Sequence, residues 1–360
     1  MHDLRKLLLA LVLITAAGQP AAPQANNSQP AESQEVAAAR SAKLTEATKL
    51  SLEVVKLHGQ GKFEEALPLA ERAVGLREEV LGRDHLSVAH ARKNLGAIYL
   101  ARGKADKGRQ HYLRALSIYE KSPAENTANI YKLLDALGLL ERFAFNNFSN
   151  ATEHYERSLA LKESSLGAEH EEVIKTLYEL AELYELHARN DKALAVHRRI
   201  IAVSEKHEAA NPYNLLAALN RFICLSERLG LKPETAEARQ RVEEIRTRED
   251  EKREREAAAQ PQAEIAGGKI VRGGVLNGIA ISKPAPVYPE AALRNRITGT
   301  VTVFLTVDES GRVIEAYPCG HPLLSEASLR AAYAAKFSPT LLSGVPVKVR
   351  GVITYNFVLQ

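Results

Sequence analysis

Two hydrophobic periods divide this chain. From about residue 44 to residue 256, apolar positions recur at intervals of three and four, which stacks them on one face of a helix. Near the end the interval falls to two. In Thr300-Val-Thr-Val-Phe-Leu-Thr-Val307, the residues Val301, Val303, Leu305 and Val307 share one face, the mark of a half-buried strand. Asp308-Glu-Ser-Gly311 supplies turn residues, and Arg312 to Ala316 resumes as the partner strand of a hairpin. A short helical segment, Pro289 to Arg296, precedes this pair. An Ala-rich helix is predicted from Ser325 to Lys336, stopped by Pro339, which has no amide hydrogen to donate. A long alternating strand from Val345 to Leu359 closes the chain. Helix, strand, strand, helix, strand is the order of a small α+β module.

The helical region repeats. Gly61-Lys-Phe-Glu-Glu-Ala66 aligns with Gly103-Lys-Ala-Asp-Lys-Gly108, Phe148-Ser-Asn-Ala151 and Asn190-Asp-Lys-Ala193. The small residues Ala66, Gly108, Ala151 and Ala193 then lie 42, 43 and 42 apart. A second register, Leu95-Gly96, Leu137-Gly138, Leu180-Ala181 and Ile223-Cys224, keeps the same period. Two small positions on one period imply helix pairs whose backbones approach closely, and the region accommodates about five pairs. The pattern resembles the tetratricopeptide repeat in its longer form, found in kinesin light chains. Leu95-Gly96-Ala-Ile-Tyr99 and Leu180-Ala181-Glu-Leu-Tyr184 carry the first-helix signature, and Leu81-Gly-Arg-Asp-His85 and Leu166-Gly-Ala-Glu-His170 carry the long corner. The first unit departs from it at Val54, and the fifth, from about Asn211, is degenerate, as capping repeats are.

The last module resembles the C-terminal domain of the TonB family. The resemblance rests on Tyr288-Pro289, Gly299-Thr-Val301, Val307-Asp308, Gly311-Arg-Val313, Ala331, Phe337-Ser-Pro339 and Gly344-Val-Pro-Val347. One departure is Ala335, where the family often has tryptophan; Tyr333 is the neighbouring aromatic that would fill the space. The chain thus reads as an α-helical solenoid followed by a small α+β domain. The boundaries are 1–25 for a signal peptide, 26–43 for a linker, 44–256 for the repeats, 257–274 for a second linker and 275–360 for the TonB-type domain. Asn277-Gly278 signals a tight hairpin opening that domain. Glu243 to Glu256 alternates in charge, and the pairs Glu244–Arg248, Glu249–Arg253 and Glu251–Arg255 suit a solvated terminal helix.

At the start, Arg5 and Lys6 precede an apolar run from Leu7 to Ala17, with small residues at Ala16-Ala17-Gly18. A membrane-spanning helix needs ~20 apolar residues, so a cleaved secretory signal is expected. With the TonB-like tail, this implies the periplasm; the alternative is an uncleaved inner-membrane anchor facing it. Forty-eight basic residues against forty-four acidic ones give +4, too balanced for a nucleic-acid partner. The chain from Gly268 onward carries ten Lys or Arg against five Asp or Glu, so the tail suits an acidic peptide or anionic surface, or is a solvated face.

Catalytic signatures are absent: there is no nucleophile elbow, His-Glu-x-x-His, phosphate loop or Cys-x-x-Cys. No enzyme activity, cofactor or metal is expected. His85 and His170 recur at equivalent corners, which favours structural hydrogen bonds, and His321 has no evident partner. Cys224 sits at a small, close-packed repeat position, as a buried thiol does; an oxidising compartment also permits a bond to Cys319.

Binding is the better prospect. Tetratricopeptide arrays present the first helix of each pair along a concave groove. That placement turns Lys93, Asn94, Lys132, Asp135, Arg142, Lys175, Tyr178, Glu182, Arg221 and Arg228 toward a protein or peptide ligand, unless the array only spaces its neighbours. For the tail, the resemblance implies contact with outer-membrane TonB-dependent receptors. The physical route is strand addition to an exposed sheet edge. The final strand, with Val347, Lys348, Val349, Arg350, Val352, Thr354 and Asn356, is the candidate edge; otherwise it serves the sheet or a homodimer. TonB-like energy transduction through an anchored N-terminus is the rival function.

Overall fold

The computed structural model describes residues 34–258, 270–275, 280–342 and 345–359. The reading of residues 1–25 as a signal peptide and the Asn277-Gly278 turn lie outside them. Contacts divide the chain into two compact units, residues 1–176 and 177–360.

The first unit contains helices α1 (Gln34–Gly59), α2 (Phe63–Leu81), α3 (Leu86–Ala101), α4 (Ala105–Tyr119), α5 (Pro123–Phe143), α6 (Phe148–Leu166) and the start of α7 (Glu171–Leu186). They pack as pairs: α1 on α2, α3 on α4, α5 on α6. The repeated small residues explain the pairing. A Cβ on Gly96 would stand 2.6 Å from the Tyr112 ring and 3.2 Å from the Gly108 carbonyl oxygen. On Gly138 it would stand 2.8 Å from the Tyr155 ring. The close approach buries Ile98, Tyr112, Ile118 and Tyr119 in one helix pair, and Leu133, Leu134 and Leu137 in the next. Each such side chain contributes roughly 1.5–3 kcal/mol of hydrophobic stabilisation. Helix α1 begins at Gln34, so the stretch 34–43 is helical and does not belong to a linker.

The second unit continues through α8 (Asn190–Lys206), α9 (Pro212–Arg228) and α10 (Lys232–Ala258), then the α+β module. Strands β1 (Ile270–Val275), β3 (Gly299–Val307), β4 (Val313–Cys319) and β7 (Val345–Phe357) form one sheet in the order β1-β7-β3-β4. β7 pairs antiparallel with β3 and parallel with β1. β6 (Thr340–Leu342) pairs with the start of β7, and β2 (Ala280–Ser282) pairs with β5 (Lys336–Phe337) in a separate ladder. α11 (Glu290–Arg294) and α12 (Pro322–Tyr333) complete the module. One face of the sheet, with Val301, Val303, Leu305, Val349, Ile353 and Phe357, buries against Leu324, Ala327 and Ala331 of α12.

Three expectations change here. The linker 257–274 contains the end of α10 and most of β1. Ala335 is buried while Tyr333 is 49% exposed, so Tyr333 does not replace the absent tryptophan. Finally, α10 is not simply solvated. Val242 and Ile245 are buried, Arg248 pairs with Glu208 rather than Glu244, and Asp250 meets Arg350 of β7 at 3.1 Å. Of the charge pairs read from its sequence, Glu251–Arg255 forms at 3.2 Å.

Candidate partner-binding site

Histidines cap the corners that aim the helices. His85 Nδ1 accepts from the Ser87 amide at 3.1 Å, and His170 Nδ1 accepts from the Glu172 amide, also at 3.1 Å. Each satisfies an orphan donor at a helix start. Gly82 and Gly167 precede them with φ of 82° and 91°, a left-handed turn that glycine adopts without steric cost. His321, which the sequence left without a partner, caps α12 in the same way, accepting from the Leu323 amide at 3.3 Å.

In the first unit, α3 and α5 are first helices of their pairs. α3 carries Lys93 and Asn94, and α5 carries Lys132. Lys93 is 7% exposed; burial, with Lys132 nearby, pulls its ammonium down to about 8. Burial, then Lys93 and Arg77, takes His90 down to about 4. Its Nδ1 lies 2.8 Å from the Tyr119 hydroxyl. Asn94 is buried, and its Oδ1 makes no hydrogen bond among the described residues. Lys132 is exposed. Exposed Lys132 thus lies near the buried ammonium of Lys93, whose chain neighbour Asn94 keeps a buried acceptor without a hydrogen bond among the described residues.

The other first-unit candidates lie elsewhere. Asp135 is buried between α5 and α6, where Lys162 Nζ donates to its Oδ2 at 2.6 Å and Ser158 Oγ donates to its Oδ1 at 2.5 Å. Lys162 also donates to Thr176 Oγ1 at 2.8 Å. Asp135 is therefore a structural partner rather than a ligand-facing group. The network had no signature, because Lys162 reads in sequence as an ordinary surface lysine. Arg142 is buried, with its guanidinium 4.7 Å from the neighbouring Phe143 ring. Lys175 is exposed and pairs along its own helix with Glu171 and Glu172, at 3.1 and 2.9 Å.

In the second unit, the candidates are largely committed to one another. Arg221 Nη1 donates to Glu182 Oε1 at 2.7 Å and its guanidinium lies 4.8 Å from the Tyr178 ring. Arg228 pairs with Glu185, whose Oε1 lies 3.0 Å from Nε2 of buried His197. Arg228 Nη1 also donates to the Gly320 carbonyl at 3.3 Å. One turn earlier, Cys224 of α9 forms a disulfide with Cys319 of β4, their Cα atoms 5.2 Å apart. The small-position cysteine is thus a crosslink and not a free thiol. The pairing needed α9 to meet β4, which sequence spacing does not encode.

The edge-strand reading of β7 also needs correction. Lys348 to Val352 face β1, and Val349 onward faces β3, so Val349, Arg350 and Val352 are flanked on both sides. Val347 pairs with Thr340 of β6. Beyond Val352, Thr354 and Asn356 pair with β3 alone among the described residues; the Thr354 carbonyl accepts from Lys283 Nζ at 3.2 Å, and Asn356 Oδ1 accepts from Thr300 Oγ1 at 2.8 Å.

Comparison with known families bears on both modules. A tetratricopeptide-repeat model matches residues 55–121 and 126–206, and a model of the Gram-negative bacterial TonB protein C-terminal domain matches residues 284–359. The chain carries tetratricopeptide repeats and a TonB-type C-terminal domain. Both are non-catalytic families, and both support a protein-interaction role. Similar solved structures include BtubC (BKLC) from P. vanneervenii, 19% identical over 63% of this chain and 93% of that one, with a TM-score of 0.48. Another is a Podosopora anserina protein described as a kinesin light chain with nearly identical TPR-like repeats, 19% identical over 58% and 97%, TM-score 0.47. No curated protein matches the chain. Among the described residues, no helix is long and apolar enough to cross a membrane, and no group of three or more His, Cys, Asp or Glu is arranged to hold a metal ion.

Proposed function

We propose that this protein is a non-enzymatic scaffold of the Gram-negative periplasm. Its tetratricopeptide array holds an acidic protein segment, and its TonB-type domain engages outer-membrane TonB-dependent receptors by strand addition. The observation that carries the first part is exposed Lys132 near the buried ammonium of Lys93. A buried ammonium held near a second one is favoured by a carboxylate brought close to both. The second part rests on the family match of residues 284–359 and on strand pairing as the recognition mode that an open sheet permits.

Fluorescence anisotropy with labelled acidic and basic decapeptides tests the array. The acidic series binds, and the exposed-site change Lys132→Glu weakens it at least tenfold, whereas Lys175→Glu changes it little because Lys175 is paired within its helix. Equal binding of acidic and basic series, or indifference to Lys132→Glu, removes this surface from the reading. Calorimetry with peptides from the periplasmic N-termini of TonB-dependent receptors tests the domain. Absence of heat for all of them, in protein shown to be folded, counts against receptor contact.

A further inference from the structure

The outer side of β7 is not empty; this chain fills it. β1 lies parallel to β7, from Ile270 opposite Lys348 to Val275 opposite Val352. Yet the segment that matches the TonB C-terminal family begins only at residue 284. The covering strand therefore comes from outside the span of the family, out of the stretch that joins the domain to the helical array.

The two sides of β7 are held unequally. β3 pairs with it at nine consecutive antiparallel positions, Gly299 to Val307 against Phe357 to Val349. β1 makes five paired positions, interrupted between Arg272 and Gly274. Parallel ladders are less stable per residue than antiparallel ones. A bulge leaves its extra residue unpaired. Gly273 and Gly274 forfeit more chain freedom on ordering than any other residue would. Past Val352, no described strand continues on that side.

We infer that β1 is a built-in occupant of the strand-accepting edge. An extended peptide running parallel to β7 docks over Lys348 to Val352 only by displacing Ile270–Val275. The inference rests on the strand-addition reading of the domain and goes further, since it names the edge, the polarity of the incoming strand and the cis competitor. Its consequence is quantitative. If the edge is open in a fraction f of molecules, the apparent dissociation constant of any docking peptide rises by 1/f. Release of β1 then switches the domain from weak to strong binding without any new contact.

The test uses the full chain with its disulfide intact. Successive strand residues turn their hydrogen-bonding groups to opposite edges, so the double change Val271→Pro and Arg272→Pro removes a donor facing β7 whichever residue carries it. The probe is a labelled peptide with the sequence of residues 268–276, Gly-Lys-Ile-Val-Arg-Gly-Gly-Val-Leu. It binds the proline variant at least tenfold more tightly than the parent, and a scrambled peptide binds neither. Equal affinity for parent and variant, or no binding to either, overturns the inference. Hydrogen exchange on the parent alone gives a second, independent reading. Amides of Lys348–Val352 that face β1 exchange at least tenfold faster than β7 amides that face β3, and equal protection overturns displacement by local opening. Receptor peptides separate this inference from the function beneath it. If they bind parent and variant equally, strand addition stands and cis occlusion fails. If they bind neither while the probe discriminates, the occlusion stands and receptor contact fails.

Discussion

Replacing Lys162 by methionine isolates the buried pair that locks α5 to α6. Lys162 is 1% exposed, and its Nζ donates to Asp135 Oδ2 at 2.6 Å and to Thr176 Oγ1 at 2.8 Å. Methionine keeps most of the volume and removes the charge, so the loss is electrostatic rather than a cavity. Breaking a buried pair from one side costs roughly 3–5 kcal/mol. Asp135 keeps its Ser158 bond and can take a proton, so the lower end, about 3 kcal/mol at pH 7, is expected. The pH dependence has a definite sign. Burial raises the Asp135 carboxyl above its ordinary value against the opposing pull of Lys162 and Ser158. A raised carboxyl stabilises the fold fully below its unfolded value and loses that contribution as pH climbs through the folded one. Removing Lys162 raises it further, so the penalty shrinks as pH falls from about 7 toward 5. Urea unfolding followed by helical circular dichroism at both pH values measures it, and Asp135→Asn combined with Lys162→Met recovers most of the loss. A single-variant cost below about 1 kcal/mol, a penalty indifferent to pH, or a double variant no better than the single refutes this account.

Other expectations concern the second unit. Serine at both Cys224 and Cys319 opens a loop of 95 residues, worth at most about 4–5 kcal/mol in the chain-entropy picture. A fall in unfolding midpoint should match that caused by reductant, and alkylation should find free thiols only after reduction. Gly311 has φ of 85°, and its carbonyl accepts from the Phe337 amide at 2.9 Å; an added Cβ would collide with the Phe337 carbonyl. Gly311→Ala should therefore cost roughly 3 kcal/mol, read from denaturant midpoints. Asp308 is held below the usual carboxylate range: burial opposes this, but bonds from Ser310 and the Arg312 and Ser310 amides outweigh it. A depressed carboxyl stabilises the fold above its unfolded value and loses that contribution as pH falls through the folded one. Asp308→Asn should thus flatten part of the acid unfolding curve below about pH 4.

The local repeats of this chain are legible in its sequence because each reports a nearest-neighbour constraint. Small residues on a period of 42 or 43 mark where paired helices touch, and Gly96 and Gly138 do touch the rings of Tyr112 and Tyr155. The alternation of Val301, Val303, Leu305 and Val307 marks a strand with one buried face, and the Asp308–Gly311 turn follows from residues adjacent in the chain. These readings settled the helix pairs and the α+β order. Tertiary structure decided what distant residues do to one another. Asp135 reads as a groove residue until α6 brings Lys162 against it, and Cys224 as a packed thiol until β4 arrives beside α9. The last strand reads as an edge until β1 pairs along it. Periodicity assigns a residue to a face, but which element covers that face depends on contacts far apart in sequence.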